Sequence, residues 1–128
     1  MQFWAFVSSV PAILVVDDEV LIAWNLAMDL ESMGAEVIGP FHSLDDALAG
    51  VADVTPTLAV LDINLHDRKV WPLAEVLSER GVPMLFVSAD IDHGHIAARF
   101  PSARKVQKPI SAAELKRHVS EMTASTLG

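Results

Sequence analysis

Apolar residues in this chain fall into two alternating patterns. One is the short unbroken run that ends in a polar residue. The other is a longer stretch in which apolar positions recur every three or four residues. The central run is Thr57-Leu58-Ala59-Val60-Leu61, which follows Thr55-Pro56 and leads into Asp62. A short apolar run between turn signals predicts a strand buried on both faces, here 57–62. Ala12–Val16 has the same form and leads into Asp17-Asp18-Glu19. Further strands are predicted over Glu36–Gly39, ended by a Gly39-Pro40 turn, and over Val82–Val87, leading to Ser88. Arg104–Gln107 is a poor, exposed fifth strand.

The helical stretches lie between these runs. Ile22, Leu26, Leu30 and Met33, with Ala23 beside them, predict a helix from Glu19 to about Met33. Asp17 or Asp18 can cap its start, and Gly34 suits its stop. Trp24 falls off that stripe, so it is exposed or at an interface. Ser43 is the expected N-cap of a helix through Leu44, Ala47 and Leu48. Ile63–Lys69 reads as a polar loop, followed by a helix over Val70–Arg80 with Pro72 in its first turn and Gly81 at its end. Residues 89–103 are weakly patterned, with at most a short helix around Ile91, Ile96 and Ala97. Ser111 and Glu114 form a capping box for a last helix, with Leu115, His118 or Val119, and Met122 on its inner side.

Strand and helix alternate five times. This predicts a doubly wound α/β fold, a five-stranded parallel sheet with helices on both faces. The 128 residues make one domain, expected over 11–124, with an apolar extension at 1–10 and a C-terminal tail at 125–128. The extension lacks a basic n-region and is too short to span a bilayer, so a loosely docked tail is expected. Cysteine is absent, which excludes a disulfide framework and thiolate metal sites and agrees with a cytoplasmic home. The net charge of -8 makes a poor general binder of nucleic acid or anionic membrane. Partners with basic patches fit it better.

In open parallel α/β sheets, ligand sites lie at the carboxyl ends of strands. Asp17, Asp18 and Asp62 should therefore meet at one edge of the sheet. A lone acid at a strand end usually caps the next helix. Carboxylates brought that close repel one another, and a hard divalent cation resolves the repulsion. Mg²⁺ is the expected ion, because it binds through a few carboxylates and keeps waters for a phosphate ligand.

Four strand ends carry polar groups in the order Asp17-Asp18, Asp62, Ser88 and Lys108-Pro109. In this respect the chain resembles a response-regulator receiver domain of two-component signalling, over nearly all of residues 11–122. The resemblance implies the flavodoxin-like receiver fold. It implies that Asp62 is the phosphoacceptor, taking a phosphoryl group from a sensor histidine kinase or phosphotransfer protein. Asp18 would ligate Mg²⁺ directly, Asp17 mainly through water, and Asp62 and the backbone carbonyl of Asn64 would complete the protein ligands. Ser88 would hydrogen-bond one phosphoryl oxygen and Lys108 would pair with another, a matter of positioning and electrostatics. The Lys108-Pro109 bond would be cis.

Leu61-Asp62-Ile63-Asn64-Leu65, Gly81-Val82-Pro83 and Gln107-Lys108-Pro109-Ile110 are closest to single-domain alphaproteobacterial receivers with a Phe-Ala-Thr-Gly segment after strand four. Here that segment reads Phe86-Val87-Ser88-Ala89-Asp90, and Asp67-Arg68-Lys69 stands where the loop usually has glycine. A larger departure is Lys105, which replaces the usual switch ring three residues before Lys108. Output should then come from reordering of 89–103, with Ala89, Ile91 and Lys105 as the switch positions. Asn64 and Asp90 flank the path of the hydrolytic water and should modulate the phosphate, making it short-lived by orienting that water.

The other residues have plainer readings. His93-Gly94-His95 is a solvated pair before it is a metal site. His66 lies in a loop near the site. His42 and His118 are expected at the surface, and Trp71 in packing. The chain is expected to be no enzyme beyond its own phosphorylation and dephosphorylation. Two other functions compete. One is a phosphorylation-independent docking module. The other is an Asp-nucleophile phosphohydrolase, disfavoured because Asn64 stands where such enzymes carry a general acid.

Overall fold

The computed structural model describes residues 10–66, 68–89 and 93–127, with backbone alone at 93–94 and 125–127. The main sheet has five parallel strands in the order β2-β1-β3-β6-β7. These are β1 (Ala12–Val16), β2 (Glu36–Phe41), β3 (Leu58–Leu61), β6 (Met84–Ser88) and β7 (Arg104–Gln107). Between β3 and the next helix, β4 (Asn64–Leu65) and β5 (Arg68–Lys69) form a small antiparallel ladder. The helices are α1 (Val20–Ser32), α2 (Leu44–Gly50), α3 (Trp71–Glu79), α4 (His93–Arg99) and α5 (Ala112–Leu127). The last runs into the stretch expected as a tail.

The doubly wound architecture is as expected. β3 is buried along its whole length, as is β1 from Ile13 to Val16. Alternation along the strands then sorts the core into two layers. Leu14, Val16, Ala59, Leu61 and Phe86 face α2, α3 and α4, packing on Leu44, Leu73, Leu77 and Ile96. Ile13, Val15, Leu58, Val60, Leu85 and Val87 face α1 and α5, packing on Leu26, Leu30, Leu115 and Val119. Trp71 packs as expected, edge-on to Phe86 and stacked on Phe100 at 6.0 Å.

Caps and stops explain most helix limits. Ser43 Oγ accepts the Asp46 N–H at 3.1 Å, and Ser111 Oγ accepts the Glu114 N–H at 3.1 Å. α1 ends in a Schellman arrangement, with Gly34 N–H donating to Glu31 and Ala35 N–H to Leu30. Its start differs from expectation. The N-cap is Glu19, which makes no side-chain cap bond, while Asp17 Oδ1 accepts the Glu19 N–H at 2.9 Å. Trp24 is exposed, along with Leu21 and Met28 on the same outer face of α1.

Three expectations are corrected. Gly39-Pro40 is not a turn. β2 is an edge strand and runs through it, with a register shift between Leu14 and Val16 that lets Val16 pair with Phe41. β7 is half-buried rather than exposed, because its pairing with β6 brings Ser88 opposite Gln107. His42 is half-buried, and its Nδ1 donates to the Asp17 carbonyl at 3.0 Å. The extension at 1–9, Asp67, Asp90, Ile91 and the side chains of His93 and Gly94 lie outside the described residues.

Two glycines test the backbone account. Gly39 has φ +102, and a Cβ there would stand 2.7 Å from Phe41 N and 3.1 Å from the Val15 carbonyl. Gly81 has φ +73 with nothing near its would-be Cβ. Gly81→Ala should cost about 1 kcal/mol from left-handed backbone alone. Gly39→Ala adds a backbone clash and should cost about 2–4 kcal/mol. Urea unfolding of the two variants would measure the difference, and equal losses would contradict it.

Candidate functional site

The register between strands builds the site. β1 and β3 pair with Val16 opposite Leu61, and the Asp62 N–H donates to the Val16 carbonyl at 2.8 Å. The residues after these strands, Asp17 and Asp62, are therefore brought side by side. β6 and β7 end together, with the Lys108 N–H donating to the Ser88 carbonyl at 2.9 Å. Lys108-Pro109 is cis. A cleft of about 250 Å³ opens at this edge, lined by Asp18, Glu19, Asp62, Asn64, Ser88, Ala89 and Lys108.

One ammonium serves three carboxylates. Lys108 Nζ lies 2.9 Å from Asp17 Oδ2, 3.0 Å from Asp62 Oδ2 and 3.2 Å from Glu19 Oε1. It donates hydrogen bonds to Asp62 and Glu19. Asp17 Oδ2 is buried and meets the ammonium as an ion pair, with no hydrogen bond. Burial pushes the Asp17 carboxyl up to about 6, against the opposing pull of Lys108 and the Glu19 N–H. Burial draws the Lys108 ammonium down, but Asp17 and Asp62 outweigh it and hold it above its ordinary value.

Asp17, Asp18, Glu19 and Asp62 each offer an oxygen, all within 4.8 Å of one another. An all-oxygen donor set with an orphaned buried carboxylate oxygen fits a hard divalent cation. Asp18 is steadied from the far side, where its Oδ2 accepts the His66 N–H at 3.0 Å. His66 takes the left-handed conformation, φ 59, in the loop that lacks glycine. This is tolerable for a polar residue in a tight turn.

The structure thus gathers Asp17, Asp18, Asp62, Asn64, Ser88 and Lys108 at one edge, and Ala89 joins them. Lys105 stands apart on β7, half-buried and opposite Phe86. Two neighbours were not assigned to the site from sequence. Glu19 carried a signal, as the acid directly after the pair. Lys69 carried none, because only the β4–β5 ladder brings it beside Asn64. His95 packs on the Trp71 ring at 4.6 Å, beside Arg99, which also pairs with Glu75. His118 is half-buried next to Arg104, and burial, then Arg117 and Arg104, push its pKa down.

No protein-family model matches the chain. A protein-glutamate methylesterase/protein-glutamine glutaminase of Halobacterium salinarum is 32% identical over 77 residues. That match takes in 59% of this chain, which spans only 22% of the relative's length. Among solved structures, a CheY-like response-regulator receiver domain protein from Methanospirillum hungatei JF-1 superposes with TM-score 0.83 at 24% identity, over 92% of this chain and 97% of that one. The signal receiver domain of a modulated diguanylate cyclase from Desulfovibrio desulfuricans G20 gives TM-score 0.78 at 27% identity, again over 92% and 97%. No described helix is long and apolar enough to cross a membrane. With the sheet order, the site at its carboxyl edge and these neighbours taken together, the chain has the fold of the CheY-like response-regulator receiver domains and is similar to them.

Proposed function

We propose that this domain accepts a phosphoryl group on Asp62 and signals by changed protein contacts. The observation that carries the reading is the convergence of Asp62, Ser88 and Lys108 in one acid-rimmed cleft. The donor is a phosphohistidine of a sensor histidine kinase or phosphotransfer protein, and the exchange is cytoplasmic. An Asp62 carboxylate oxygen forms a bond to phosphorus as the bond to the imidazole nitrogen breaks, its electron pair staying on that nitrogen. Phosphorylation turns the Asp62 carboxylate into an acyl phosphate, and Lys108 then pairs with a phosphoryl oxygen instead. Ser88 donates its hydroxyl to another oxygen.

Asp17, Asp18, Asp62 and the Asn64 carbonyl would hold Mg²⁺, with Glu19 within reach. When bound, the ion supplies positive charge against the incoming phosphoryl group. The chain's own part is to aim the nucleophile and to keep Lys108 at hand. Output passes through 89–103, since Lys105 offers no ring to swing inward. Hydrolysis of small phosphate esters is the weaker reading, because the Asn64 amide is far too weak an acid to serve as a general acid.

Two measurements test this. Incubated with Mg²⁺ and acetyl phosphate or a cognate kinase, the protein should gain one phosphoryl group by intact mass, and Asp62→Asn should gain none. A wild type that gains nothing from any donor would be a docking module instead. The second concerns stability without divalent ions. Asp17 has a folded pKa of about 6, above its ordinary 3.8. The native state therefore holds this proton more tightly than the unfolded chain does. Stability from this group is present below pH 4 and is lost as pH rises through about 6. In chelator, Asp17→Asn should be more stable than wild type at pH 7 by about 1–3 kcal/mol. The gain should shrink at pH 4.5, and saturating Mg²⁺ should reverse it. Urea unfolding at the two pH values checks this, and a pH-independent difference would contradict it.

A further inference from the structure

Lys69 lies behind a residue of the cleft, in contact with Asn64, and has no part in the phosphoryl transfer itself. The β4–β5 ladder pairs Asn64 with Lys69 and Leu65 with Arg68, and the Val70 N–H closes it on the Ile63 carbonyl at 2.9 Å. Residues directly opposite in such a ladder carry their side chains on one face, with Cβ atoms about 4.5–5.5 Å apart. The Lys69 ammonium donates to Asn64 Oδ1. An ammonium has donors only, so the amide atom it meets must be the carbonyl oxygen. Asn64 lines the cleft with Asp62, Ser88 and Lys108.

From this pairing we infer that Lys69 withholds the Asn64 acceptor from the hydrolytic water and so lengthens the life of the phosphoryl group on Asp62. The inference rests on the acceptor reading above. In hydrolysis the water oxygen forms a bond to phosphorus while the bond from phosphorus to the Asp62 oxygen breaks. The electron pair returns to the carboxylate, inorganic phosphate leaves, and the water's proton goes to solvent. An amide oxygen that accepts a hydrogen from this water aims its lone pair at phosphorus. An amide NH₂ does the reverse, because it donates to the lone pair that the attack needs. A charged donor on Oδ1 also weakens that oxygen as an acceptor for anything else. Lys69 thereby turns Asn64 from a group that orients the water into one that hinders it. This opposes the expectation that a small polar residue at 64 shortens the life of the phosphate.

The test is a mutant cycle on decay. Wild type, Lys69→Met, Asn64→Ala and the double variant are loaded with labelled acetyl phosphate in Mg²⁺, the donor is removed, and loss of label is followed. Lys69 is exposed, so Met keeps its stem without disturbing the core. Lys69→Met should decay about three- to tenfold faster than wild type, the worth of one hydrogen bond. In the Asn64→Ala background the same change should have no effect. Decay of Lys69→Met that equals or lags wild type overturns the inference. So does an acceleration that persists without Asn64, since Lys69 would then act on the phosphoryl charge directly. If wild type takes up no label at all, the acceptor reading itself fails and this inference goes with it. Uptake with unchanged decay leaves that reading standing and sinks this one alone.

Discussion

The parallel register of β1 against β3 is the constraint on which the acidic edge depends. Both strands are buried on both faces along nearly their whole length, so neither can slide without turning core residues outward. A slip of one residue would exchange the two layers, sending Ile13 and Val15 to the α3 side and Leu14 and Val16 to the α1 side. With the register locked, the residue that follows each strand is locked too. Those residues are acids, and the apolar core holds them together against their repulsion. Lys108, delivered by the last strand of the sheet, offsets that repulsion only in part, since one ammonium faces three carboxylates.

Much of this could be read from the chain because it is written in local pattern. The runs 12–16 and 57–61 are the observed β1 and β3 to within a residue. The capping residues Ser43 and Ser111 announced α2 and α5. The site was legible for the same reason: its residues sit directly after strands, so naming the strands names the edge. The misses have a shared cause in tertiary pairing. Gly39-Pro40 has the local signature of a turn, yet the partner strand carries β2 through it. Arg104–Gln107 looks too polar for a strand, yet an edge position beside β6 tolerates that. The Lys69–Asn64 contact depends on a two-residue ladder that no periodicity can mark.

The face of the sheet that Lys105 shares with Phe86 is built from several packed rings. Trp71, Phe86 and Phe100 pack together beneath α4, and Arg99 lies over Trp71 and Phe100 while pairing with Glu75 of α3. α4 is therefore tied to α3 by stacking and charge, where Lys105 on β7 offers neither. The contacts grade from core to surface: Phe86, Phe100 and Ile96 are buried, Trp71 is half-buried and Arg99 is exposed.

The sharing of Lys108 among Asp17, Glu19 and Asp62 also bears on how a silent version of this protein can be made. On the proposed reading, exchanging Asp62 for asparagine gives an unreactive protein and preserves shape. It does not preserve the charge balance, because it takes one of the three anions away from the ammonium. Lys108 would redistribute toward Asp17 and Glu19, and the resting edge of the sheet would be less crowded than in the native chain. Such a protein is therefore a third state of the edge, distinct from the native resting one and from the phosphorylated one proposed above, and its contacts with partners need not mirror either.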